Sequence, residues 1–235
     1  MWNCTTIMRA TNCRSLSRLR SVKNRIVVYW NEKIRSYDLK ISYPWVTVGD
    51  YEQAFVHFSF KKRYRASCLG CALCCQGRIP LTLIDIYRMI NGGVGHGLSV
   101  EEWVLRFAHI EFIGNCADIV LKLDADGFCS FLDPKSLTCT IYESRPLVCS
   151  TYFCCRFSKE SRHLRSRIIN LGEDELVRYL LSRDISKYDP RWNRLNPHDW
   201  KPNCFTGKTS YQQVSIREVC GSSLWQAFVR KSRLN

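Results

Sequence analysis

Four cysteines fall within eight residues, Cys68-Leu-Gly-Cys71-Ala-Leu-Cys74-Cys75. A packed core does not require thiols this closely spaced, so the chain must fold to present several sulfurs from one tight turn. Cys129, Cys139 and Cys149 follow at intervals of ten residues. Soft thiolates at this density select zinc or iron, as bare ions or as an iron–sulfur cluster. A C-x2-C unit lets two sulfurs reach one ion from a single turn, and two remote cysteines complete a tetrahedron. Cys68, Cys71 and Cys74 equally fit the C-x2-C-x2-C run that grips three corners of a four-iron cluster. Cys75 complicates both pictures, because adjacent side chains diverge. One cysteine of the Cys74-Cys75 pair then reaches a second ion, bridges two ions, or supports the ligands without touching metal. One tetrahedral zinc uses four of these seven cysteines. Two ions sharing a thiolate, or a four-iron cluster beside a three-cysteine site, use all seven. Cys154-Cys155 offers an eighth ligand, and Cys204 and Cys220 are more remote candidates. A lone cysteine such as Cys116 reads first as a buried hydrophobe.

The compartment bears on how the thiols are read. Met1 to Arg25 contains no apolar stretch ahead of a small-residue cleavage site, so no secretory signal is expected. No run of eighteen apolar residues is present, so no membrane span is expected. A cytoplasmic location follows as the expectation, and a reducing cytosol favours metal-bound or catalytic cysteines over disulfides. Fourteen cysteines in 235 residues exceed ordinary usage but fall below the density of small disulfide scaffolds. With 46% hydrophobic residues the chain can bury a core without staples.

Charge divides the chain. Residues 1–66 carry 13 basic against 4 acidic side chains, and residues 156–235 carry 16 against 8. The cysteine-rich centre, 67–155, carries 6 against 9. Basic flanks suit an anionic partner such as nucleic acid, an anionic surface or an acidic protein, and they equally suit solvated surface. The acid-poor, Arg- and Ser-rich start resembles an organelle transit peptide, and an upstream start codon would read the same way. Cys4 and Cys13 lie in it with no partner at ligand spacing. These features predict a basic N-terminal extension over 1–45, a candidate for disorder, and a metal-binding domain over 46–235 whose motif core is 66–157.

Within that domain, Phe58 and Phe60 alternate with polar neighbours and predict a half-buried strand in Tyr51–Phe60. The basic run Lys61-Lys62-Arg63-Tyr64-Arg65 reads as its solvated exit, with a phosphate-backbone contact as the alternative. Thr82 as N-cap, Asp85 in the first turn and Gly92-Gly93 as stop predict a helix with Leu83, Ile86, Tyr87 and Ile90 on one face. Ser99 and Glu102 form a capping-box pattern for a second helix that turns Trp103, Phe107 and Ile110 inward. Gly92 to Gly97 follows a helix rather than a strand and predicts a loop, not a nucleotide site. Two apolar runs, 118–123 and 128–132, around Asp124-Ala-Asp126-Gly127 predict a hairpin with Cys129 on its return strand. Cys139 to Tyr142 reads as a short strand, Arg145-Pro146 as a turn or helix start leading to Cys149, 173–182 as an amphipathic helix, and 189–203 as irregular. The predicted fold is α+β: short helices and a small antiparallel sheet in an irregular domain organised around a cysteine-ligated metal site.

The chain resembles the cysteine-cluster (CxxCxxCC) proteins described as zinc- or iron-chelating domains. The residues that carry the likeness are Cys68-x2-Cys71-x2-Cys74-Cys75, Ile79-Pro80-Leu81-Thr82, Asp85-Ile86, Phe128-Cys129-x-Phe131-Leu132 and Cys139-x-Ile141-Tyr142-Glu143-x-Arg145-Pro146-x-x-Cys149. The resemblance implies that Cys129, Cys139 and Cys149 join Cys68, Cys71, Cys74 and Cys75 as ligands of one compact metal-organised domain. Two departures stand out. Ala72 occupies a position where the family usually has Gly, and Ser150, Tyr152 and Phe153 replace the usual Arg and Phe-Pro after the last cysteine. A related cysteine pattern occurs in flagellin lysine methylases, but this chain shows no cofactor-binding fingerprint.

Three functions fit these residues. The first is a protein in which zinc or iron is structural or stored, with Arg145 donating to a thiolate or to Glu143. The second is an iron–sulfur-dependent redox or methyl-transfer enzyme assisted by Asp85, Glu143 or His96. The third is a zinc protein bound to nucleic acid through the basic flanks, with affinity that falls steeply with salt.

Overall fold

The computed structural model describes residues 25–61 and 71–233, with side chains through 60 in the first stretch and through 229 in the second. Cys4, Cys13, Cys68, the basic run 62–65 and the transit-peptide reading of the start lie outside the described residues. The architecture is α+β, with helices packed around small two-stranded antiparallel sheets.

The described chain opens with β1 (Ile26–Asn31) and β2 (Ser36–Ile41), which pair antiparallel. Their charge assigns these residues to an extension, yet Ile26, Leu39 and Ile41 are buried in a core. α1 (Val48–Lys61) follows where a strand is expected. Tyr51, Phe55 and Phe58 recur at four and three residues and are buried along one helix face, while Phe60 is exposed. The period of 3.6 therefore overrides the local alternation at Phe58 and Phe60.

α2 (Leu83–Asn91) and α3 (Val100–Phe107) form as their caps predict. Both carry complete capping boxes, Thr82 with Asp85 and Ser99 with Glu102. The loop between them is held by the Trp103 indole, which donates to Val94 C=O at 3.0 Å. Gly95 at φ +71° lies against Trp103 and Phe107, where a Cβ would stand 2.9 Å and 3.0 Å from the two rings. α3 stops at Phe107, and Ile110 faces the core from a strand instead.

That strand, β3 (Ala108–Ile113), pairs antiparallel with β4 (Cys116–Leu121). The regular hairpin thus lies one strand earlier than the sequence pattern suggests. Around Asp124 the chain does turn, but Phe128 N–H donates to Asp124 Oδ1 and Cys129 N–H donates to Cys75 C=O. With those donors used elsewhere, only the bridge Leu123–Cys129 remains of the expected return strand. β5 (Leu132–Asp133) and β6 (Thr138–Cys139) make a two-residue ladder. The strand expected over 139–142 ends at Cys139, because Ile141 C=O accepts Ser144 N–H and closes a 3-10 turn over Tyr142–Ser144.

α4 (Leu147–Ser150) is one turn long, and α5 (Lys159–Ser182) is 24 residues, far longer than expected and begun well before residue 173. Its polar first half is fixed by tertiary contacts. Ser158 caps it, Ser158 and Ser161 hydroxyls donate to the buried Asp38 of β2, and Leu164 and Ile168 are fully buried. Short 3-10 turns fill 190–199, matching the irregular stretch. α6 (Ile216–Arg233) closes the chain, broken at Gly221, whose φ of +64° is non-helical.

Two cores result. The first gathers α2, α3, β3, β4, the C-terminal half of α5 and Trp192. The second gathers β1, β2, α1, the N-terminal half of α5 and α6. α5 spans both, and α2 contributes Ile84 to the second core while the rest of its apolar face fills the first.

Candidate metal centre

The cysteine turn is pinned from both sides. After it, Leu81 N–H donates to Ile119 C=O and Leu121 N–H donates to Ile79 C=O, both at 2.9 Å. Residues 79–81 thus run along β4. Pro80 sits at the position of that pairing where no donor is required. Within the turn, Leu73–Cys75 is a 3-10 segment in which Cys75 N–H donates to Ala72 C=O at 2.9 Å. Cys75 C=O accepts Cys129 N–H at 2.7 Å, which fixes the turn against the Asp124–Cys129 loop.

Other cysteines meet the first core as well. Cys129 is 6% exposed within that core, and Cys75, Cys139 and Cys149 pack against it from its margin. Leu132 pairs with Cys139, and Cys129 C=O accepts Leu132 N–H at 2.8 Å, so the β5–β6 hairpin holds Cys139 near Cys129. Cys149 is carried by α4. Cys71, Cys74, Cys75, Cys129, Cys139 and Cys149 are free thiols.

The electrostatics report the same gathering. Interaction between the adjacent Cys74 and Cys75 thiols lowers the Cys74 pKa and raises that of Cys75, whose burial adds to the rise. Arg145 further favours the Cys74 thiolate. Burial pushes Cys129 and Cys139 up, and it pushes Cys149 up strongly, with the neighbouring Cys129 and Cys139 adding to the rise. Arg145 also lies close enough to favour the thiolates of Cys139 and Cys149, and its guanidinium stacks 4.2 Å over the Tyr142 ring. The one cation expected near the thiolates is therefore beside three of them. Among the described residues, no three or more of His, Cys, Asp and Glu stand together so that they could hold a metal ion. The donors fit zinc or iron by chemistry: several soft sulfurs, a compensating guanidinium and a partly dry setting.

Residues 67–170 match the model of the CxxCxxCC family, a "putative zinc- or iron-chelating domain". Comparison with curated proteins and with solved structures finds no match. The CxxCxxCC segment spans all seven predicted ligands and also Cys154 and Cys155. Cys204 and Cys220 lie beyond it and belong to the second core, where burial raises their thiols to about 11 and about 12. Both behave there as small hydrophobes. Cys116 and Cys154 are exposed.

Asp85 has a different place from the one its sequence position suggests. It is fully buried, and burial raises its carboxyl pKa against the opposing pull of Arg88. Oδ2 accepts Thr82 N–H and the Thr82 hydroxyl, each at 3.0 Å. Oδ1 accepts Leu147 N–H and the Tyr211 hydroxyl, each at 2.7 Å. Both oxygens are thus occupied by the protein's own donors. Glu52 and Tyr211 belong to this buried network, yet sequence gives no signal for them. Tyr211 is 126 residues from Asp85, and Glu52 lies in a segment whose alternation predicts a strand. His96 sits in the glycine-rich loop between α2 and α3.

Proposed function

We propose that the chain holds zinc or iron, as structural or stored metal, through Cys68, Cys71, Cys74, Cys75, Cys129, Cys139 and Cys149. The observation that supports this reading is the meeting of Cys75, Cys129, Cys139 and Cys149, from separate stretches of chain, at the first core. The CxxCxxCC match over 67–170 agrees with it. When bound, the metal would join the cysteine turn, the 129–139 hairpin and α4, which few long backbone ladders connect. Arg145 would offset the negative charge of the thiolates. Ligand binding of this kind is coupled to folding, so metal content and stability should fall together.

Anaerobic purification with metal and acid-labile sulfide measured per chain tests the proposal. Zinc or iron bound in stoichiometric amount is the expected result. Serine at Cys71 or at Cys139 should lower both metal content and melting temperature. Full metal retention in both variants refutes the ligand assignment. A colourless zinc protein favours a structural or storage role, whereas iron with sulfide identifies a cluster.

A further inference from the structure

A single helical turn does not hold itself in place, so the position of Cys149 depends on what grips α4. Its own sequence supplies no cap, since Pro146 occupies the N-cap position without a side-chain hydrogen bond. The acceptor comes from another helix: Asp85 Oδ1 takes the Leu147 N–H at 2.7 Å. Two more ties fix the same segment. Arg88 of α2 donates to Arg145 C=O just before the turn and to both Glu52 oxygens, at 2.7 Å and 2.9 Å. Glu52 of α1 in turn accepts the Ser150 hydroxyl at 2.7 Å. The start of α4, the carbonyl ahead of it and its last residue are thus each held by buried or partly buried charged groups. None of these bonds uses sulfur. Val148 and Cys149 are left to pack against the first core, which contains Cys129 and against which Cys139 also packs.

We propose that Asp85, Arg88 and Glu52 are positioning residues of the metal centre, fixing α4 so that the Cys149 thiol meets the ion. The proposal rests on the reading of Cys149 as a ligand. It differs from that reading in placing part of the metal affinity in groups that never touch metal. Outer partners of this kind typically change affinity by about 10- to 100-fold.

The test uses the full chain, stripped of metal and reduced under anaerobic conditions. Zinc is titrated in competition with a chromophoric chelator, and cobalt(II) serves as a spectroscopic probe of thiolate coordination. Asp85→Asn, Ser150→Ala and Cys149→Ser are compared with the parent chain at a temperature where circular dichroism shows each to be folded. Asp85→Asn is expected to weaken zinc binding by about 10- to 100-fold. Ser150→Ala should weaken it several-fold, and in both variants the cobalt thiolate bands should shift in the direction seen for Cys149→Ser. A folded Asp85→Asn protein with parental zinc affinity and cobalt spectrum overturns the proposal, even if it melts earlier. Should Asp85→Asn fail to fold, parental affinity in Ser150→Ala overturns it alone. Parental affinity in Cys149→Ser instead removes Cys149 from the ligands, a distinct failure of the underlying reading.

Discussion

Leu137 stands at φ +52° in the turn between β5 and β6, where its N–H reaches Asp133 C=O at 2.8 Å. A left-handed conformation costs a branched residue about 1–2 kcal/mol. Leu137 is 37% exposed, so its side chain regains only part of that cost by burial. Leu137→Gly should therefore raise stability by up to about 1 kcal/mol, measured by chemical denaturation of the metal-free protein. At the buried end of the scale, Tyr211 donates to Asp85 Oδ1 and lies 2.6 Å from the Thr82 hydroxyl. Removing its hydroxyl strips one donor from a carboxylate with no access to water. Tyr211→Phe should cost about 1–3 kcal/mol, seen as a lower denaturation midpoint with an unchanged slope. The Thr82–Asp85 cap was legible from three-residue spacing alone, while the partner 126 residues away was not.

Among the elements, α5 and α2 cross closely at one point. Gly172 of α5 lies against Thr82, and an added Cβ would stand 2.5 Å from Thr82 Cγ2 and 2.8 Å from its Cβ. Thr82 cannot yield, because it is buried and bonded to Asp85. Alanine is the better helix former by about 1 kcal/mol, but overpacking a fixed neighbour costs about 1–3 kcal/mol. Gly172→Ala should accordingly be neutral to destabilising, and a clear gain in thermal stability would show that the contact relaxes. The same helix shows why element length was hard to read. Its C-terminal half carries apolar periodicity, whereas its N-terminal half is charged and becomes helical through the Ser158 cap and the Asp38 tie from β2. α1 shows the converse: Tyr51, Phe55 and Phe58 carried a helical period that a two-residue alternation masked.

For the whole molecule, the thiols couple stability to pH. Burial raises Cys129, Cys139 and Cys149 above the ordinary thiol value. In the unfolded chain these thiols ionise near pH ~8.5. The folded metal-free state therefore keeps more protons than the unfolded state above that pH, and stability falls as pH rises. The melting temperature of the metal-free protein should drop between about pH 8 and pH 10. The loaded protein should not follow this trend, because its ligands are already deprotonated. Metal uptake near neutral pH should release about four protons, one for each raised thiol of Cys75, Cys129, Cys139 and Cys149, detectable with a weakly buffered indicator. Uptake without proton release would mean that these thiols do not ligate. Among the described residues no helix is long and apolar enough to cross a membrane, as the hydropathy of the sequence led one to expect.

Sequence by itself determined the chemistry: thiols at C-x2-C-x2-C-C spacing, two capped helices and an α+β mixture follow from local spacing and capping rules. Those signals lie within one or two turns of chain, where backbone geometry converts spacing directly into proximity. The tertiary structure decided what lies far apart in sequence. It placed Cys129 in the first core with Cys139 and Cys149 packed against it, drew β1 and β2 into the second core, and supplied α4 with a cap from Asp85 and a clasp from Glu52. A four-residue helix and a two-residue ladder have no local stability of their own, so the place of the cysteines they carry is set by packing and buried hydrogen bonds that local pattern does not record.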